Sequence, residues 1–166
     1  VFVDSLTKVL NRKGLDHKMG QLMRTPPVTG TRHALVMLDI DHFKGINDTH
    51  GHLMGDRVLS ALGELLKLSV AEAGSTVARY GGEEFAVLLP NATPALAHEV
   101  AERIRLRTKA LKIRQKHTNE VVLTLTVSAG VAAHQHGEDA AGWIARADKA
   151  LYQSKESGRD RVSVAA

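Results

Sequence analysis

Residues 34–40 read Ala-Leu-Val-Met-Leu-Asp-Ile, and Asp41 follows. An apolar run this short is a buried strand, neither a long helix nor a membrane span. Two carboxylates, Asp39 and Asp41, close it. A carboxylate in apolar surroundings costs free energy unless it is hydrogen-bonded or paired. The strand therefore lies inside the molecule, with its C-terminal end at a polar edge. Taken alone, the Asp-x-Asp pair fits two readings. One is a strand end emerging into solvent. The other is a site for a hard divalent cation, which takes carboxylate oxygens together with substrate phosphates.

The hydrophobic period changes on either side of this run. Asp4 to Met23 is predicted as a helix, with Leu6, Leu10, Leu15, Met19 and Leu22 near one face. Leu53 to Val70 carries the stripe Val58, Leu59, Leu62, Leu65, Leu66 and Val70 of an amphipathic helix. Thr76–Tyr80 and Phe85–Leu89 flank Gly81-Gly82 and read as a β-hairpin. Thr93 to Ile113 is predicted helical with Ala97, Val100, Ala101 and Ile104 inward. Val121 to Ala133 reads as one strand. Asp139 to Ser157 reads as a helix with Trp143, Ile144, Ala147 and Leu151 inward, and Arg161–Val164 as a last strand. The middle of this order is a βαββαβ unit, the ferredoxin-like arrangement. The expected fold is α+β: a central, largely antiparallel sheet with helices over one face, extended by an N-terminal helix and a C-terminal helix and strand.

Composition removes other classes. The chain has 166 residues, one domain's length, and 43% hydrophobic with 24% charged content excludes a disordered or collagen-like polymer. No apolar run approaches the ~20 residues of a bilayer span, and Val1–Lys8 lacks the pattern of a signal peptide. The chain holds 0 cysteines, which excludes disulfides and thiolate chemistry. A cytoplasmic domain without membrane contact is expected. Lys and Arg number 22 against 18 Asp and Glu, but they are scattered, and aromatics are only 4%, so no nucleic-acid interface is expected. The basic excess fits a solvated surface or a polyphosphate site.

The residues with chemical potential cluster around the first strand and the hairpin. In a ferredoxin-like sheet the first strand is central and adjoins the hairpin, so its tip, Gly81-Gly82-Glu83-Glu84, can stand near Asp39. Glycines let a ligand approach the backbone. Converging carboxylates repel unless a proton or cation joins them, and a divalent cation with a bound triphosphate resolves the repulsion. Backbone N–H groups at Phe43 and Lys44 can hold phosphate. Asn47 and Asp56 can pair with guanine edges, although Asp56 also suits a helix start. Lys155 and Arg159 suit a helix C-terminus equally well, and near a triphosphate they become partners for its β- and γ-phosphates.

Taken together, these residues resemble the GGDEF family of diguanylate cyclases, whose fold is nucleotide-cyclase-like. The signature loop here is Gly81-Gly82-Glu83-Glu84-Phe85. Asp4-Ser5-Leu6-Thr7 with Asn11-Arg12 resembles the opening motif. Asp39-Ile40-Asp41-His42-Phe43-Lys44, Ile46-Asn47-Asp48, Gly51-His52 and Gly55-Asp56 resemble the second. Ser128-Ala129-Gly130-Val131 and Ala147-Asp148-Lys149-Ala150-Leu151-Tyr152, with Lys155 and Gly158-Arg159, resemble the last two. The resemblance implies condensation of two GTP into cyclic di-GMP with release of two pyrophosphates. It implies that Asp39, the Ile40 carbonyl, Glu83 and Glu84 bind two Mg²⁺ or Mn²⁺ in each half-site. Glu83 is implied to activate the ribose 3′-hydroxyl. Asn47, His52 and Asp56 are implied to read guanosine. The Phe43 and Lys44 backbone, with Lys155 and Arg159, is implied to hold the phosphates, and Gly81 and Gly82 to leave room for substrate. Two domains must then meet face to face as a homodimer.

Three departures accompany the resemblance. The family's product-inhibition site is Arg-x-x-Asp, and here those positions read Glu72-Ala73-Gly74-Ser75. Lys8 replaces a usual glycine, and Asn11-Arg12-Lys13 replaces a double arginine. The chain starts almost at the opening motif, so residues 1–166 are expected to be a single catalytic domain excised from a longer protein with an upstream sensor or dimerisation region. The alternative reading is a non-catalytic receptor for GTP or a cyclic dinucleotide; an intact signature loop with an altered product site argues the other way.

Overall fold

The apolar run forms the middle strand of a five-stranded sheet. The computed structural model describes residues 1–166. In chain order the elements are α1 (Arg12–Met23), β1 (Arg32–Ile40), α2 (Phe43–His50), α3 (His52–Ser69), β2 (Thr76–Gly81), β3 (Glu84–Ala92), α4 (Pro94–Ala110), β4 (Lys112–Arg114), β5 (Val121–Thr124), β6 (Val127–Ala133), α5 (Ala140–Glu156) and β7 (Val162–Val164). The large sheet has the order β2-β3-β1-β6-β7. Strand β1 runs antiparallel to β3 and β6, and β7 joins β6 in parallel. The sheet is thus mixed, with the expected antiparallel βαββαβ core at its centre.

Strand β1 is buried at every residue after Arg32 because both of its faces are covered. Val36, Leu38 and Ile40 join the core beneath α3 and α4, with Val58, Leu62, Val100 and Ile104. Leu35 and Met37 join a second core with Leu15, Met19, Trp143 and Ala147 from α1 and α5. Helices over one face is therefore correct only for α3 and α4; the two outer helices close the other face. Gly130 on β6 explains how closely α5 sits. A Cβ there would collide with the backbone of Ala147, Ala150 and Leu151.

Side-chain caps set the starts of three helices. Asn11 accepts from Gly14 N at 2.9 Å, Thr93 from Leu96 N at 3.1 Å, and Asp139 from Gly142 N at 2.8 Å. The first cap corrects the expected helix over Asp4–Met23, which begins only at Arg12. Asp4 instead closes a turn by accepting from the Thr7 backbone N–H (2.9 Å) and hydroxyl (2.7 Å), and Lys8 is left-handed with φ 65°. Leu10 then bridges to Ala78 of β2. The predicted strand over Val121–Ala133 also divides. Its first part, β5, pairs with β4, which follows a helix that stops at Ala110 short of the expected Ile113. Helix α2 falls in a stretch for which the hydrophobic period gives no element.

Candidate active site at the end of β1

Asp39 is the one acid of β1, and it is only 8% exposed. Antiparallel register puts Glu84 of β3 directly across from it, and cross-strand partners share a face. That face is covered by α5, which brings Lys155 and Asp148. The Lys155 ammonium donates to Asp39 Oδ2, while Asp39 Oδ1 is buried without a partner. Burial raises the Asp39 carboxyl above its ordinary pKa and the Glu83 and Asp41 charges add to this; Lys155 opposes them. Burial and a hydrogen bond with Asp148 push Glu84 up to about 8. Asp148 Oδ1 is also buried and unpartnered.

The tip of the hairpin completes this edge. Glu83 O accepts from Ile40 N at 3.4 Å, which ties the tip to the end of β1. Gly81 and Gly82 have ordinary negative-φ backbones and open space where a Cβ would stand. Neither turn geometry nor packing demands glycine at these positions. Bare backbone there leaves an approach for a ligand. Arg79 holds the tip from behind. Its Nε donates to Gly82 O at 2.9 Å, and its guanidinium pairs with Asp4 at 3.4 Å.

The expected base-reading residues meet at the α2–α3 junction. Asn47 on α2 packs against Gly55 on α3 so tightly that a Cβ on Gly55 would overlap its Oδ1. That Oδ1 is buried and unpartnered. Asp56 follows Gly55 and is exposed, as is His52 at the start of α3. Phe43 and Lys44 form the first turn of α2, whose N-cap, His42, is left-handed and gives no side-chain cap bond. The backbone donors of a first helical turn have no partner within the helix. The exposed Lys44 side chain pairs with Asp48 at 3.3 Å. Arg159 lies exposed in the turn after α5 with φ 62°.

The structure thus gathers Asp39, Glu83, Glu84, Ile40 and Lys155 at one sheet end, and Asn47 beside Asp56 at the adjoining helices. It does not assemble a ready-made cluster of three acid or imidazole ligands. The donor set nonetheless fits a hard cation: oxygen ligands on buried Asp39 and half-buried Glu83 and Glu84, with one Asp39 oxygen free of any partner. Asp41 departs from a ligand role. Both of its oxygens accept hydroxyl hydrogen bonds, from Thr126 and Ser128 at 2.7 Å each. Sequence reasoning singled out neither Arg79 nor Asp148 as part of the site. The signals were present: Arg79 stands two residues before Gly81, and Asp148 lies seven residues, two helical turns, before Lys155.

A cavity of about 770 Å³ lies elsewhere, at the opposite end of β1 between His33, His134 and Glu138. It contains none of these acids. A smaller one, about 510 Å³, has Asp56, Leu53 and Leu6 in its wall.

Comparison with known proteins bears on the family and the fold. The family model described as "Diguanylate cyclase, GGDEF domain" matches residues 1–161. Diguanylate cyclase VdcA of Vibrio cholerae is 38% identical over 96% of this chain and 45% of its own length. The response regulator PleD of Caulobacter vibrioides is 38% identical over 96% of this chain and 35% of its own. The chain therefore spans less than half the length of these relatives. The GGDEF domain of DgcB from Caulobacter crescentus, solved in complex with c-di-GMP, superposes with a TM-score of 0.91 at 39% identity, covering 98% of this chain and 92% of that one. With the family model matched almost end to end and the fold shared at this level, the chain belongs to the GGDEF domain family.

Proposed function

We propose that the domain is a diguanylate cyclase half-site that joins two GTP molecules into cyclic di-GMP with release of two pyrophosphates. The observation that carries this reading is the pairing of buried Asp39, with its free oxygen, and half-buried Glu84, beside a hairpin tip where Gly81 and Gly82 carry no side chains. Asn47 and Asp56 hold the guanine, the Asp56 carboxylate accepting from its N1–H and amino group, and His52 borders the nucleoside. The first turn of α2 and the Lys155 and Arg159 side chains hold the triphosphate. Asp39, the Ile40 carbonyl, Glu83 and Glu84 would hold two Mg²⁺ or Mn²⁺. Bound there, the metal would polarise the α-phosphate and offset charge on the leaving pyrophosphate. Glu83 takes the proton from the ribose 3′-oxygen as that oxygen bonds to the α-phosphorus of the GTP on the facing domain. The α–β phosphoanhydride bond breaks, and pyrophosphate leaves with the electron pair. A second, symmetry-related transfer closes the ring. Each domain supplies one GTP, so catalysis needs a homodimer.

Two further features belong to this reading. The Glu72 carboxylate is engaged by Arg103 at 3.2 Å, and Ser75 Oγ donates to Glu72 O at 2.6 Å. The positions of the family's product-inhibition site thus present a paired acid where a guanidinium is needed. The relatives are longer than this chain, and one is a response regulator. The domain accordingly acts as the output of a longer, regulated protein in the cytoplasm. The test is incubation of the purified domain with GTP and Mg²⁺, with products separated by mass-resolved chromatography and Glu83→Ala as control. Cyclic di-GMP lost in the variant supports the reading. Metal-dependent GTP binding with no product, even after fusion to a dimeric coiled coil, supports a receptor and overturns it.

A further inference from the structure

We propose that Asp41 is a positioning residue that sets the phosphate-binding turn carrying Arg159, an inference that rests on the phosphate role given to Arg159 above. Asp41 follows β1 directly and is only 5% exposed. It has no cationic partner. Its carboxylate accepts from Ser128 Oγ at 2.7 Å, from Thr126 Oγ1 at 2.7 Å, and from the backbone N–H of Asp160 at 3.0 Å. Its own N–H donates to Thr126 O at 3.0 Å. Three pieces of chain are joined at this one side chain: the end of β1, the start of β6, and the turn after α5.

That turn needs outside support. Gly158, Arg159 and Asp160 are consecutive and all left-handed, with φ 117°, 62° and 47°. Two of them are not glycine, and left-handed backbone is costly for residues with a Cβ. Such a turn persists when its surroundings over-determine it. Here they do so from both sides. The Asp160 carboxylate accepts from Arg105 at 3.0 Å and Lys109 at 2.8 Å, both on α4. The Asp160 N–H goes to Asp41, and Arg161 O accepts from Ala129 N at 2.9 Å. Arg159 is exposed at the middle of this clamp. Arg159 depends on Asp41, two residues from Asp39, so the phosphate-holding and carboxylate ends of the site share one anchor. A carboxylate suits this task because it only accepts. Both hydroxyls and the amide must then donate toward it, which gives the network one direction.

The test is a double-mutant cycle read by calorimetric binding in Mg²⁺. The probes are guanosine 5′-[α,β-methylene]triphosphate, which cannot be cleaved at the α–β bridge, and GMP, which lacks the β- and γ-phosphates. Asp41→Ala is expected to weaken the triphosphate analogue tenfold or more and GMP by less than twofold. Arg159→Ala should do the same, and the double variant should bind no worse than Arg159→Ala alone. Asp41→Asn, which keeps an oxygen toward Asp160, should recover most of the affinity. Equal losses for both probes, or additive losses in the double variant, overturn the proposal in favour of a general packing role. An Arg159→Ala variant that binds the analogue normally removes the phosphate role itself, whatever Asp41 does. If Asp41→Ala does not fold, Asp41→Ser carries the test, because its shorter side chain keeps a hydroxyl beside Ser128 and Thr126 but draws the oxygen back from the Asp160 N–H. Selective loss of the triphosphate analogue supports the clamp there, and no loss or an equal loss overturns it.

Discussion

Asn47 and Gly55 show how much one missing methyl group decides. The buried Asn47 Oδ1 occupies the space that a Cβ on Gly55 would take. Because the obstacle is the end of a side chain, Gly55→Ala should displace Asn47 and leave the fold standing. We expect the KM for GTP to rise about tenfold or more, the scale of one lost polar contact to a bound base, with the melting temperature nearly unchanged. Steady-state kinetics beside a thermal melt checks this. Glu84 makes a second expectation at this scale. Burial and Asp148 hold its carboxyl at about 8 against an ordinary 4.5. The folded state therefore keeps a proton that the unfolded chain gives up. This contribution to stability is complete below the unfolded value and is lost as pH rises through the folded one. Without divalent metal, the stability of the domain should fall between pH 5 and 8, by at most ~1.4 kcal/mol per proton per pH unit, as read by denaturant titration across that range. Glu84→Gln should flatten the fall; an unchanged slope in that variant would assign the effect to another group.

At the scale of elements, the site depends on how α5 meets the sheet. Asp148 and Lys155 reach Glu84 and Asp39 only because Gly130 lets the helix backbone rest on β6. Gly130→Ala forces the two apart and should cost about 1–3 kcal/mol or more, the range for overpacked cores. Urea unfolding measures it directly. The same elements show what was legible beforehand. Residues 34–40, the α3 stripe and the inward face of α5 follow from period alone, since each buries a continuous apolar face. The stretch before Arg12 was not legible, because Leu6 and Leu10 keep a helical spacing while Asp4 and Lys8 close a turn. Nor was α2 visible: Gly45, Asn47, Asp48 and Thr49 are poor helix formers. It is Phe43 and Ile46, packed on the main core, that hold it. The break between β5 and β6 is hidden in an unbroken β-branched run, because the choice of partner strand is tertiary. In the site, Asp39 and the Gly-Gly-Glu-Glu tip were legible as chemistry. The roles of Arg79 and Asp148 come from contacts 75 residues or one sheet layer away, which no local pattern carries.

For the whole molecule, the Glu72–Arg103 pair sets the expectation for feedback. With an acid already bound to the nearest arginine, added cyclic di-GMP should leave the initial rate unchanged through the micromolar range. Sub-micromolar inhibition that disappears on altering Glu72 or Ser75 would show that this turn binds product after all. Under the proposed cyclase activity each domain holds one GTP and two domains must meet. The most direct measurement is cyclic di-GMP formation from GTP and Mg²⁺ as a function of domain concentration, beside Glu83→Ala. The expected result is a rate per domain that climbs with concentration, rises further on fusion to a dimeric coiled coil, and vanishes in the variant. A rate per domain independent of concentration in a protein that sediments as a monomer, or product formation that survives Glu83→Ala, would contradict a two-domain cyclase built on this carboxylate edge.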